Sequence, residues 1–123
     1  MKGTTPNGKA TFKAGAAIAK GEFVKFSSGK VVKASAATDK CIGVALDSAA
    51  AEGDLVPVQL LTSGDTALVK AGGAVAQGGT VSCLGTTVST AGALQYGIAL
   101  EAATASGDII NCIVGLPAVI KIS

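Results

Sequence analysis

Residues Gly43–Leu60 read GVALDSAAAEGDLVPVQL, and Gly97–Val114 read GIALEAATASGDIINCIV. At an offset of 54, Val44 meets Ile98, Leu46 meets Leu100, Asp47 meets Glu101, and Gly53-Asp54 meets Gly107-Asp108. The correspondence continues upstream, where Lys13–Phe26 (KAGAAIAKGEFVKF) lines up with Lys70–Cys83 (KAGGAVAQGGTVSC) at an offset of 57. The second copy is therefore three residues shorter between its two blocks. Alanine and glycine match readily in any chain this rich in them, so Val24/Val81, Leu46/Leu100 and Asp54/Asp108 carry the argument. A period of this kind predicts two copies of one small unit, about residues 13–60 and 70–114.

Within the quoted stretch, CIGVAL alternates with Ile42, Val44 and Leu46 on one face, the pattern of a half-buried strand. Asp47–Gly53 predicts one short helical turn, capped by Asp47 or Ser48 and ended by Gly53. In LVPVQL the apolar Val56, Val58 and Leu60 share a face. Pro57, which lacks an amide hydrogen, predicts an edge or a bulge. Ser27-Ser28-Gly29-Lys30 is a hairpin turn between FVKF and VVKAS. No window carries a sustained helical stripe. The fold class expected is all-β, a small barrel or sandwich of two half-units with short turns and at most one or two helical turns.

Composition supports thin β layers. The chain has 123 residues, room for one ordinary domain, and 49% of them are apolar while only 3% are aromatic. A core built from Ala and Val suits sheets better than thick helical packing. Seventeen glycines against three prolines supply the tight turns that many short strands need. The expected organisation is a polar arm over residues 1–12 followed by a single β domain over 13–123.

Charge is divided unevenly. Residues 1–40 hold eight lysines against Glu22 and Asp39, a net of +6; residues 41–123 hold two lysines against six acids, a net of −4. There is no arginine, which weighs against recognition of phosphates or base edges, and the few aromatics form no RNA-binding pattern. No nucleic-acid partner is expected. No histidine is present, which removes the usual general base, the histidine triads and most zinc sites. Asp47, Glu52 and Asp54 lie close in sequence without cation-loop spacing, so turn capping explains them better than metal binding. Gly72-Gly73 and Gly78-Gly79 precede strands and lack the Lys-Ser/Thr of a phosphate loop. A biotin- or lipoyl-type carrier also has two half-units, but its lysine tip motif is missing. Neither enzyme activity nor a cofactor is expected. Cys41, Cys83 and Cys112 sit in apolar runs without CxxC spacing, as buried free thiols of a reducing compartment. No apolar core of a signal peptide follows Met1 and no run is long enough to span a bilayer, so cytoplasmic synthesis and no membrane partner are expected.

Several of these residues resemble a known family. Gly21 and Val24, Gly43–Ala45, Ala49–Ala51, Gly53, Val56 and Val58, Ala71-Gly72, Gly78 and Val81 follow the pattern of tailed-phage capsid cement or head decoration proteins. Leu61-Thr62-Ser63 departs from it, where the family more often has Gly-Val and an aromatic. The resemblance, over roughly residues 13–115, implies a non-enzymatic virion protein made in the bacterial host cytoplasm. It would bind the outside of the head, tie neighbouring major capsid protein subunits together, and act as an oligomer. A homotrimer is expected, because shells offer threefold sites. The basic, polar start places the capsid contact at Lys2, Lys9, Phe12 and Lys13, with Phe12 as the apolar anchor. The alternative reading is a small β-barrel ligand-binding or accessory domain of non-viral origin.

Overall fold

The computed structural model describes residues 9–36, 39–61, 65–86 and 94–119. These form nine strands and, among the described residues, no helix: β1 (Lys9–Lys13), β2 (Phe23–Ser27), β3 (Lys30–Lys33), β4 (Gly43–Ala45), β5 (Leu55–Leu60), β6 (Asp65–Lys70), β7 (Thr80–Val81), β8 (Leu94–Ala99) and β9 (Ile109–Val119). They make two antiparallel sheets, one of five strands ordered β1-β5-β4-β2-β3 and one of four ordered β6-β9-β8-β7. The all-β expectation holds.

The β2–β3 turn is the predicted hairpin. Ser28 and Gly29 both take left-handed φ values, 52° and 79°, between the paired Ser27 and Lys30, which is the two-residue turn whose twist matches its strands. Asp47–Gly53 forms no helical turn. Ala49 is drawn into a bridge with Ile18, each amide donating to the other's carbonyl (2.8 and 2.9 Å), so these backbone groups are not free for helical bonds. Pro57 is on neither an edge nor a bulge but inside β5, flanked by β1 and β4. Its carbonyl accepts from the Leu46 amide at 2.9 Å, and its nitrogen points the same way, past Ala45, the last residue of β4. The missing donor falls where the ladder has already ended.

The two sheets share their registers. Phe12 faces Val56 as Val69 faces Ile110, Phe23 faces Val44 as Thr80 faces Ile98, and Val24 faces Gly43 as Val81 faces Gly97. Loop bonds correspond in the same way. The Ile18–Ala49 bridge has its like in Val75–Ala103, and the Gly53 amide donates to Ala14 as that of Gly107 does to Ala71. Among the described residues β3 has no counterpart strand. At its place the second sheet has a tight loop in which the Gly72 amide donates to Gly85, as that of Gly15 does to Val31.

Packing separates the sheets where pairing does not. Val24, Val31, Ala45, Val56 and Val58 face a cluster closed by Ala14, Ile18 and Ala49. The opposite face of the first sheet, Phe23 and Val44, is also buried, in a second cluster with Val69, Val81, Tyr96, Ile110, Cys112 and Val114 from the inner face of the second sheet. β2 and β4 are thus covered on both sides. This revises the half-buried reading of CIGVAL. Ile42 donates its amide to Val24 on β2 but accepts on its carbonyl from Leu61 beyond β5, and the kink turns Ile42 toward one cluster while Val44 enters the other.

Candidate functional site

The contact between the two sheets is the most elaborated part of the molecule. A register shift between Gln95 and Gly97 re-aims Tyr96, and its ring meets Phe23 with centroids 5.2 Å apart. The Tyr96 hydroxyl accepts from the Cys41 amide (2.7 Å) and donates to the Asp39 carbonyl (2.6 Å). Burial pushes this phenol up to about 12, so it stays a donor. The Asp39 carboxylate accepts from Lys25 Nζ (2.9 Å) and from the amides of Ser35 (2.8 Å) and Ala36 (3.0 Å). The Lys25 ammonium, followed by the Ser35 amide, holds the Asp39 carboxyl down at about 2. Cys83 donates from Sγ to the Ala36 carbonyl at 3.0 Å and lies against the Cys41 thiol, which that neighbour and burial push upward. These contacts fasten one sheet to the other. Sequence reasoning missed Tyr96 and Asp39, because a scattered aromatic and a loop acid carry no periodic signal.

Beside this seam lies a groove of about 190 Å³ bordered by Glu22, Phe23, Lys33, Lys70 and Leu84. Glu22 is tied at both oxygens, accepting from the Ala19 amide at 2.8 Å and standing 3.9 Å from Lys70 Nζ. The acids of the turns are engaged as caps. Asp54 accepts from the Ala50 and Ala51 amides (both 3.1 Å), and Asp108 from the Thr104 (2.9 Å) and Ala105 (3.2 Å) amides, which hold the Asp108 carboxyl below its ordinary value. Among the described residues no group of three His, Cys, Asp or Glu side chains gathers to hold a metal ion. The three cysteines are free and buried, and burial pushes the Cys112 thiol up to about 11.

The four residues expected to contact a capsid are placed unequally. Lys2 lies outside the described residues. Lys9 and Phe12, near the end of the polar arm expected over residues 1–12, and Lys13 at its root all lie in β1, where Ala10 is buried and Phe12 is half-buried. The alternation of Ala10 and Phe12 with Lys9, Thr11 and Lys13 makes this segment a strand, and β5 supplies the edge it pairs with. Lys9 and Lys13 are exposed on the opposite face from Phe12. Phe12 meets Phe26 edge to face at 5.4 Å, and Phe26 is the more open of the two at 55% exposure.

A second exposed surface was not anticipated. On the outer face of the four-stranded sheet, Ile98 and Ile113 sit opposite one another, about 40% exposed, with Leu68 and Leu100 nearby.

Comparison with known proteins gives a family match and a likeness to a solved structure. A sequence profile described as phage cement protein matches residues 4–116. No curated protein matches the chain. The fold is similar to that of the head fiber gp8.5 N base in bacteriophage phi29, with 18% identity, a TM-score of 0.65, and coverage of 87% of this chain and 92% of that one.

Proposed function

The chain belongs to the phage cement protein family, and from that premise we propose that it binds the exterior of a phage head and ties neighbouring major capsid protein subunits together. Membership assigns it a structural, capsid-associated role in the virion. The observation that carries the reading is the family match over residues 4–116. A small-residue double sheet whose seam is secured by buried hydrogen bonds is suited to acting as a rigid clip. Many copies around a shell reinforce it collectively, so no single contact needs to be strong.

We infer in addition that the protein is non-enzymatic, is made in the host cytoplasm, and acts as a homotrimer on threefold positions of the shell. We read the chain as two copies of one unit. The shared strand registers, the paired Ile18–Ala49 and Val75–Ala103 bridges, and the equivalent caps of Asp54 and Asp108 support this. Attachment through the basic start of the chain keeps Lys2, with Lys9 and Lys13 on the exposed face of β1 and Phe12 behind them.

The test is reconstitution. Purified protein added to empty heads is expected to coat them at regular sites and raise their resistance to heat or denaturant. Heads that take up no protein, or gain nothing from it, would overturn the reading. Light scattering is expected to return three chains per particle; a strict monomer at high concentration counts against the trimer.

A further inference from the structure

Two surfaces of this molecule are counterparts of surfaces that are packed together inside it. Within the chain, the outer face of the first sheet, Phe23 and Val44, lies on Cys83, Tyr96 and Val114 of the second. The register offsets translate each side of that contact. Phe23, Val44 and Gln59 correspond to Thr80, Ile98 and Ile113, and Cys83, Tyr96 and Val114 correspond to Phe26, Ile42 and Leu60. The first group is buried throughout in the first sheet, at 1%, 0% and 7% exposure, yet its counterparts Ile98 and Ile113 are 40% and 39% exposed in the second. Conversely, Cys83, Tyr96 and Val114 are buried, while Phe26 is 55% exposed and Ile42 and Leu60 are only partly covered.

We propose that these two open surfaces meet between molecules: the Phe26, Ile42 and Leu60 rim of one copy packs on the Thr80, Ile98 and Ile113 face of the next, repeating head to tail the contact made within each chain. The inference rests on the two-copy reading and specifies the self-interface behind the oligomer. Three observations favour a second copy as the occupant. The first is continuity with the internal contact. The second is a reciprocal exchange of volume. Inside the chain a large Phe23 meets a small Cys83; between copies a large Phe26 would meet a small Thr80, so the summed bulk is retained with the partners reversed. Third, backbone and charge agree. Gly21 lies against β6, accepting from the Lys70 amide at 2.9 Å, so tightly that a Cβ would stand 2.7 Å from that nitrogen. Its counterpart Gly78 has the same left-handed φ (82° against 88°) and nothing within 4 Å of a Cβ, leaving space for the outward edge of β1 at Lys13, the counterpart of Lys70. The rim lies in residues 1–60, with eight lysines against five acids, and the face in residues 61–123, with two lysines against three acids, a difference in sign that orients the encounter. Such an interface is heterologous and closes into a ring when its rotation permits.

Ile98→Glu and Phe26→Glu alter exposed side chains, one on each surface, and are expected to leave the melting temperature within a few degrees of the parent. Each alone is expected to convert the oligomer to a monomer in sedimentation analysis. Mixed in equal amounts, they are expected to give a dimer and nothing larger, because one copy keeps an intact rim and the other an intact face. A parent that is monomeric at about 100 µM, variants that keep the parent's size, or a mixture that stays monomeric would each overturn the proposal. Variants that keep the oligomer but lose binding to empty heads would assign the surface to the shell instead. The two-copy reading fails separately, if experimental coordinates do not superpose residues 13–60 on 70–114.

Discussion

Tyr96 and Asp39 show how much of this fold depends on single polar groups. Replacing Tyr96 with Phe keeps the ring on Phe23 but leaves the Cys41 amide and the Asp39 carbonyl without their partner. A buried unsatisfied group costs about 1–3 kcal/mol, so a lower urea midpoint with unchanged slope is expected. Asp39 sets a pH dependence. Its carboxyl is held near 2 in the folded state by Lys25 and the Ser35 and Ala36 amides, below its ordinary value near 3.8. The unfolded chain therefore takes up the proton first as pH falls. The stability contributed by Asp39 is present above about pH 4 and is lost as pH drops toward 2. Asp39→Asn is expected to flatten that part of the stability curve, which thermal melts between pH 5 and 2 would reveal.

Among elements, β4 and β8 are held by glycines at corresponding places. A Cβ on Gly43 would stand 2.2 Å from the Gln59 carbonyl oxygen, and one on Gly97 would stand 2.3 Å from that of Ile113. Because backbone oxygens in a paired strand have nowhere to retreat, Gly43→Ala and Gly97→Ala are both expected to destabilise by about 1–3 kcal/mol or more, measured by denaturant titration. β1 is an integral edge strand, with Ala10 buried and its register on β5 complete. Deleting residues 1–12 removes most of β1 and is expected to lower the melting temperature by about 10 °C or more.

For the whole molecule, the separation of charge governs approach to the shell more than residence on it. Lys9→Ala with Lys13→Ala is expected to slow binding to empty heads at low salt and to have little effect at physiological strength, where fields fade over about 8 Å. The sedimentation test of Ile98 and Phe26 belongs to the same scale. A pair of variants that lose trimer and head binding together would link shell attachment to the ring.

The sequence by itself determined the all-β class, the hairpin at Ser28-Gly29 and the correspondence of Gly43–Leu60 with Gly97–Val114, because period, turn chemistry and order are local properties of the chain. It also put Val56, Val58 and Leu60 on one strand face, of which Val56 and Val58 prove fully buried. Only the tertiary structure decided which faces are covered twice. Val44 and Ile98 occupy matching strand positions and are chemically alike, yet one is buried against the other sheet and the other is 40% exposed. Burial of a face depends on what the rest of the chain places over it, and that information is absent from the alternation of the strand itself. For the same reason Lys9–Phe12 reads as the end of an arm until β5 supplies its partner, and Tyr96 reads as an isolated aromatic until Cys41 and Asp39 reach its hydroxyl.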